Sequence, residues 1–355
     1  MSVYILNLFS ILFYFILFRY AVKAIKSRKQ YLCLIVALQL FLTAALRNTV
    51  VGGDLANYIP AFKEIGNLSW DELVAYPWEP GYVLLNRLIF FFSENERLLL
   101  VVISFLIVWG YIRFIWCYSK ECWLSLFFFI AWGYYCGSLS MLRQSLAIIC
   151  VLNSIQFVVN KDFKKFALWV LLGITFHTTA IVFILLYPLV RFKVTLKYFV
   201  LFLTVSFLFS IVAGRYLLFY VIEKYYSIYE SKIVINEGYG MLGLLVGITF
   251  LGVWIKERLK IDDPVSNIFY HMMIFACGLQ LLSLQFSLFA RVVFYFQIAM
   301  IVFIPEIISH LKGNEIKIAA KMLVVCFVTY YFTNIYIANN SSGIFPYHFF
   351  WESVN

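Results

Sequence analysis

Long apolar runs follow one another along almost the whole chain, about every second one ended by a short basic turn. A membrane-crossing helix needs about 20 predominantly apolar residues. The runs 31–46, 98–116, 123–137, 141–159, 197–214, 239–255, 265–284, 288–308 and 318–337 approach or reach that length. Val3 to Phe18 is apolar too, with no basic region ahead of it and no small-residue cleavage site after it, so a retained helix is expected there. Gly81 to Phe92 is only about half a span and is expected to lie on the outer surface or dip into it. The run 166–190 carries His177 near its middle and basic clusters at both ends. Two short limbs hinged at His177 keep both clusters on one side and are preferred to a single span.

Charge orients these elements. Short cytoplasmic turns collect Lys and Arg, and the sets Lys23 to Lys29, Arg113 with Lys120, Lys161 to Lys165, Arg191 to Lys197, Lys256 to Lys260 and Lys312 to Lys321 alternate with turns that lack them. With Arg19, they put nineteen of the 28 basic residues inside. The expectation is an all-α polytopic membrane protein with about 12 crossings, some short or re-entrant, and both termini outside. Residues 1–355 form one integral membrane domain, with outer loops 47–97 and 215–238, an outer tail 339–355, and no internal repeat. Composition agrees: 64% of the 355 residues are hydrophobic and 13% charged, about half the charge of a soluble domain. The net charge of +10 is explained by the cytoplasmic turns and needs no nucleic acid. The seven cysteines form no CxxC and lie in or beside apolar runs, which argues against disulfide or metal roles.

One polar interruption is richer in chemistry than a connector requires. Arg47 to Tyr82 holds Gly52-Gly53-Asp54, the carboxylates Asp71, Glu72 and Glu79, and the aromatic residues Tyr58, Trp70, Tyr76, Trp78 and Tyr82. Three further groups interrupt apolar sequence: Arg143 at the outer end of a helix, Arg291 one turn before Tyr295, and His177. An arginine placed within the bilayer costs about 2.5–3.5 kcal/mol, tolerable where it faces a water-filled cavity and meets an anion. Arg47, Arg143, His177 and Arg291 are therefore expected around one recessed outer pocket. The alternatives are ordinary ones. Arg143 at a helix end can snorkel, His177 can be a packing histidine, and Asp54 can cap a turn or helix. Asp262-Asp263 before Pro264 reads as a cytoplasmic helix cap. Guanidinium groups match phosphate oxygens, so the expected anion is a lipid-linked phosphate or pyrophosphate. There is no Walker A, HExxH or GxSxG motif, which leaves carboxylates, one histidine and arginines to do the chemistry.

The segments Arg47 to Tyr58, Glu79-Pro80-Gly81-Tyr82, Leu142-Arg143-Gln144-Ser145-Leu146-Ala147, Phe176-His177, Arg291 with Tyr295, and Pro346-Tyr347 occur in an order that resembles the EpsG-type, Wzy-like polysaccharide polymerases. The resemblance runs over most of the chain. It implies a GT-C-like, metal-independent and cofactor-free glycosyltransferase in the bacterial inner membrane, working at its periplasmic or outer face. The implied reaction moves a growing chain from undecaprenyl pyrophosphate onto a newly arrived oligosaccharide repeat unit, making O-antigen, capsule or exopolysaccharide. A flippase and a chain-length regulator of the same pathway are implied partners. On this basis Arg143, Arg291 and Arg47 are expected to bind pyrophosphate. Asp54 or His177, with Glu79 in reserve, is expected as base, and Tyr58, Trp78, Tyr82, Tyr295 and Tyr347 as sugar contacts. Competing classes are a lipid-linked-oligosaccharide flippase, a lipid-monophosphate-sugar transferase of the GT-C type and a membrane acyltransferase.

Overall fold

The structure is a computed structural model that describes residues 3–21, 28–214, 216, 238–285 and 289–354. Most of the expected outer loop 215–238 lies outside the described residues. Among those described, the regular elements are helical, and the one extended pairing is an isolated antiparallel bridge between Arg47 and Phe349. The helices are α1 (Val3–Ile16), α2 (Arg28–Ala45), α3 (Leu55–Asn67), α4 (Trp70–Ala75), α5 (Pro80–Phe92), α6 (Glu96–Tyr118), α7 (Cys122–Ala131), α8 (Tyr134–Ser140), α9 (Leu142–Val159) and α10 (Phe163–Phe176). After a 3₁₀ segment (Thr178–Leu185) come α11 (Leu186–Leu189), α12 (Leu196–Phe209), α13 (Tyr239–Leu259), α14 (Pro264–Ser283), α15 (Ala290–Gln297), α16 (Met300–His310) and α17 (Asn314–Phe332).

Solvation by lipid is visible in which side chains point outward. Leu6, Phe9 and Phe13 of α1, Val200, Leu201 and Val205 of α12, and Ile318, Met322 and Leu323 of α17 are all exposed. Such apolar patches are rare on soluble monomers. By contrast α9 and α14 are mostly buried, so they form the centre of the bundle while α1 and α17 lie at its edge.

Among the described residues, six helices are long and apolar enough to cross a membrane, or eight if the bent pairs α7–α8 and α15–α16 each count as one span. The expected 12 or so included α2, α12 and the two limbs beside His177, which fall short in length or apolarity. Two predicted helices are each broken: the run 288–308 bends by 42° between α15 and α16, and the run 123–137 by 50° between α7 and α8. Gly133 stands at that break with φ +90°, a left-handed value that glycine adopts without penalty.

The hinge at His177 is a hairpin. His177 has an extended backbone (φ −159°, ψ 118°) that ends α10. The chain then folds back, so that Phe166 meets Tyr187 at 5.2 Å between ring centroids and the Tyr187 hydroxyl donates to the Lys161 carbonyl at 2.8 Å. Lys161 and Arg191 therefore share one end of the bundle, as the basic clusters required.

The opposite end is where the polar stretch folds, and it is helical rather than loop. Ser69 starts α4 with a reciprocal capping box: its Oγ accepts from Glu72 N while its own N donates to Glu72 Oε2. Those bonds hold the Glu72 carboxyl below its usual range, so this carboxylate serves the helix. Pro80 opens α5 at its first position, where a missing N–H costs nothing. The C-terminal tail returns over the first part of the stretch: Gly52 N donates to Gly343 O at 2.8 Å, Gly53 N to Ser342 O at 3.0 Å and Asn48 N to His348 O at 2.8 Å. At the other end Asp263 caps α14 through Ser266 N at 3.1 Å, the role expected for that acidic pair.

Candidate functional site

Two close backbone approaches assemble the site. Gly52 has φ +124°, and a Cβ there would come within 2.8 Å of the Leu139 carbonyl. Only glycine therefore lets the 47–54 segment press on the end of α8, where Asp54 N donates to Ser140 Oγ at 3.2 Å. Gly81 lies in the first turn of α5, against the end of α10. A Cβ on it would sit 2.3 Å from Thr175 Oγ1 and 2.8 Å from the Thr175 carbonyl oxygen. That contact brings Glu79 to the residue where α10 breaks, His177.

Glu79 is the hub. Its Oε1 lies 2.9 Å from His177 Nδ1 and accepts from Thr178 N at 3.2 Å, while its Oε2 accepts from Arg143 at 2.7 Å. The side chains are 10%, 15% and 24% exposed for Glu79, His177 and Arg143 respectively. Burial by itself raises the Glu79 carboxyl, but the His177 hydrogen bond and the Arg143 charge outweigh it and hold the group at about 2. An ionised carboxylate can only accept, so His177 Nδ1 carries the hydrogen. In the neutral ring, Nε2 is then the free acceptor. Arg143 also stacks over Trp78 at 4.6 Å and Tyr58 at 5.9 Å, cation–π contacts that fix its plane. Its buried Nε has no hydrogen-bond partner among the described residues.

These groups border a cavity of about 540 Å³ whose wall includes Asp54, Asn57, Tyr58, Glu64, Tyr76, Trp78, Arg143, Gln144, His177 and Arg291. Asp54 occupies the N-cap position of α3, yet its carboxylate makes no capping bond. The structure thus withholds the capping role that the sequence left open. Arg291 is exposed and has no ion pair among the described residues. Its helix is tied to α9 by Gln144 Nε2, which donates to the Arg291 carbonyl at 2.6 Å.

Six of the candidates thus meet at one cavity: Asp54, Tyr58, Trp78, Arg143, His177 and Arg291. Glu79 stands behind two of them rather than alone as a reserve base. Four candidates are placed elsewhere. Arg47 is 1% exposed and donates to Ala44 O at 2.7 Å, Ser104 Oγ at 3.3 Å and Leu139 O at 3.2 Å. Its guanidinium thereby ties α2, α6 and α8 together. Tyr82 is fully buried beneath Tyr58 and Trp78. Tyr295 is buried too, and its hydroxyl accepts from Thr179 Oγ1 at 3.2 Å. Tyr347 donates to the Thr43 carbonyl at 2.8 Å and packs edge-on to Tyr4.

Asn57, Glu64 and Gln144 were missed as site residues. A signal for two of them existed: positions 54, 57, 58, 61 and 64 repeat at three- and four-residue steps, the spacing of one helix face, and all five line the cavity. Tyr76 donates to Glu64 Oε2 at 3.0 Å. Burial together with that carboxylate pushes the tyrosine up to about 12, so it stays a donor. Among the described residues no three His, Cys, Asp or Glu side chains gather in the manner of a metal site.

Residues 30–349 match the sequence model of the EpsG family. No match was found among curated proteins or among solved structures. The match spans the outer stretch, both cavity arginines and the His177 hinge, and the chain belongs to the EpsG family.

Proposed function

We propose that this protein is a metal-independent membrane glycosyltransferase that polymerises undecaprenyl-pyrophosphate-linked oligosaccharide repeat units. One observation carries the proposal: a histidine oriented by a carboxylate and two arginines border the same 540 Å³ cavity. His177 Nε2 takes the proton of the acceptor sugar's hydroxyl, whose oxygen forms the new bond to the anomeric carbon of the donor chain. The anomeric carbon–oxygen bond to pyrophosphate breaks, and the electron pair leaves on undecaprenyl pyrophosphate. Arg291 and Arg143 face the charge that builds on that leaving group, where fixed cations act most strongly. Glu79 is a positioning residue that keeps the imidazole in the Nδ1–H form. Asp54 receives hydroxyl groups of the acceptor, and Tyr58, Tyr76 and Trp78 offer aromatic surface to sugar rings.

By the positive-inside rule the cavity lies at the outer face of the inner membrane, reached by substrate that a flippase has delivered and under the control of a chain-length regulator. Counting the short limbs, the bundle crosses about 12 times in a GT-C-like arrangement. The polymer is O-antigen, capsule or exopolysaccharide.

The test is to incubate purified protein with lipid-pyrophosphate repeat units in chelator and resolve products by length. A ladder of longer lipid-linked products supports the proposal. No ladder with or without Mg²⁺ or Mn²⁺ overturns it, and a ladder that needs the cation overturns its metal-independent part.

A further inference from the structure

The far end of α9 opens on a second charged cleft. α9 begins at the functional cavity, with Arg143 and Gln144, and ends at Val159. Its 18 residues rise about 27 Å at 1.5 Å per residue, close to the roughly 30 Å of a bilayer's hydrocarbon core. The cleft is thus one membrane thickness from the first site. It has two lobes that meet at Arg191: one of about 660 Å³ between the 190–195 turn and the end of α13, the other of about 580 Å³ beside Lys161 and Tyr187.

Its walls are held by defined bonds. Glu257 Oε2 accepts from Leu196 N at 3.1 Å, tying α13 to the start of α12. His271 Nε2 lies 3.0 Å from the Phe192 carbonyl, tying the turn to α14. These contacts also employ the nearby acids: Glu257 holds that N–H, and Asp262 accepts from Asn267 at 3.2 Å. Arg191 lies over the Tyr187 ring at 5.6 Å. Among the described residues Lys161, Arg191, Lys193 and Lys260 enter no ion pair, yet all four line the cleft. A fifth, Lys256, is 6% exposed; it donates to the Ile261 carbonyl and lies over the Tyr270 ring at 5.6 Å. Between Arg191 and Lys193 stands Phe192, exposed and stacked at its side on Tyr198.

Basic residues at an inner face orient a protein wherever they sit along its turns. What orientation alone does not explain is the convergence of five cations from three separate turns on one groove, with an exposed aromatic ring among them. A basic pocket between membrane helices on the cytoplasmic side is the arrangement that receives an anionic lipid head group. We propose that this cleft binds the phosphodiester head group of an anionic phospholipid, with Arg191, Lys193 and Lys260 on the phosphate oxygens and Phe192 against the acyl chains.

The experiment is native mass spectrometry of the delipidated full chain, titrated with phosphatidylglycerol and, separately, with zwitterionic phosphatidylcholine. Half-saturation at least tenfold lower for phosphatidylglycerol is expected. The double variant Arg191→Gln/Lys193→Gln and the single variant Lys260→Gln are expected to lose that preference, while Lys312→Gln, a basic residue outside the cleft, keeps it. Equal retention of both lipids by the parent, or an unchanged preference in the double variant, overturns the proposal. A third arm adds inorganic phosphate alone: saturable phosphate binding that the double variant abolishes, without retained lipid, assigns the cleft to a free anion and overturns the lipid assignment.

Discussion

Replacing Glu79 by Gln removes a charge while keeping the side-chain shape and one acceptor oxygen, and it is the sharpest test of the site. The carboxyl is held at about 2 against an ordinary 4.5. At about 1.4 kcal/mol per unit the depression is a preference of a few kcal/mol for the ionised form. The sign follows from the depression. That stabilisation is complete above the ordinary carboxylate range, near pH 4.5, and is lost as pH falls towards 2. Between pH 5 and 8 Glu79 stays ionised, so it contributes no pH dependence there, and Glu79→Gln forfeits its charge across the whole window. The variant leaves Arg143 without its anion and lets the His177 ring take either tautomer. Turnover is expected to fall by about a hundredfold, the lower end of what a positioned base supplies. The assay is the initial rate of product-ladder growth from pH 5 to 8, normalised to monodisperse purified protein. A variant within threefold of the parent would refute the positioning role. A faster variant would show that Glu79 merely masks Arg143.

Three other outcomes are expected. Arg291→Ala should cost about a hundredfold in rate or more, as losing a donor to developing charge does, and Arg291→Lys should restore only part because it lacks the forked geometry; full polymer length from the Lys variant in cells refutes this. Arg47→Met should lower the amount of folded protein in the membrane, because each carbonyl left unpaired costs about 1–3 kcal/mol, whereas rate per folded molecule should change little; normal abundance with lost activity would restore Arg47 to the substrate site. Gly81→Ala places a methyl 2.3 Å from Thr175 Oγ1 and 2.8 Å from its carbonyl oxygen, so α5 must shift and cost about 1–3 kcal/mol; thermal unfolding in detergent and the product ladder should both deteriorate, and unchanged values in either would undo the packing account.

Class, charge asymmetry and the positions of the unusual polar groups were legible in the sequence, because lipid solvation demands apolar runs and each break in a run stands out. The same logic favoured His177 as a hinge: basic clusters on both sides of 166–190 argue against a simple crossing, and the hairpin of α10 with the 3₁₀ segment satisfies them. The helical face running from Asp54 to Glu64 was also present in the spacing, although the polar stretch reads first as loop. Direction in space was not legible. Arg47, Arg143 and Arg291 are equally conspicuous along the chain, yet only the latter two border the cavity. Arg47 turns inward because carbonyls from α2 and α8 and a hydroxyl from α6 meet there, partners up to 92 residues away in sequence. Glu79 is the same case: 64 residues from Arg143 and 98 from His177, it becomes their common partner only because Gly81 lets α5 lie on the end of α10. Apolar periodicity constrains which residues face lipid or core, but which polar groups meet depends on how breaks in different helices align, and that is settled by packing between elements distant in sequence.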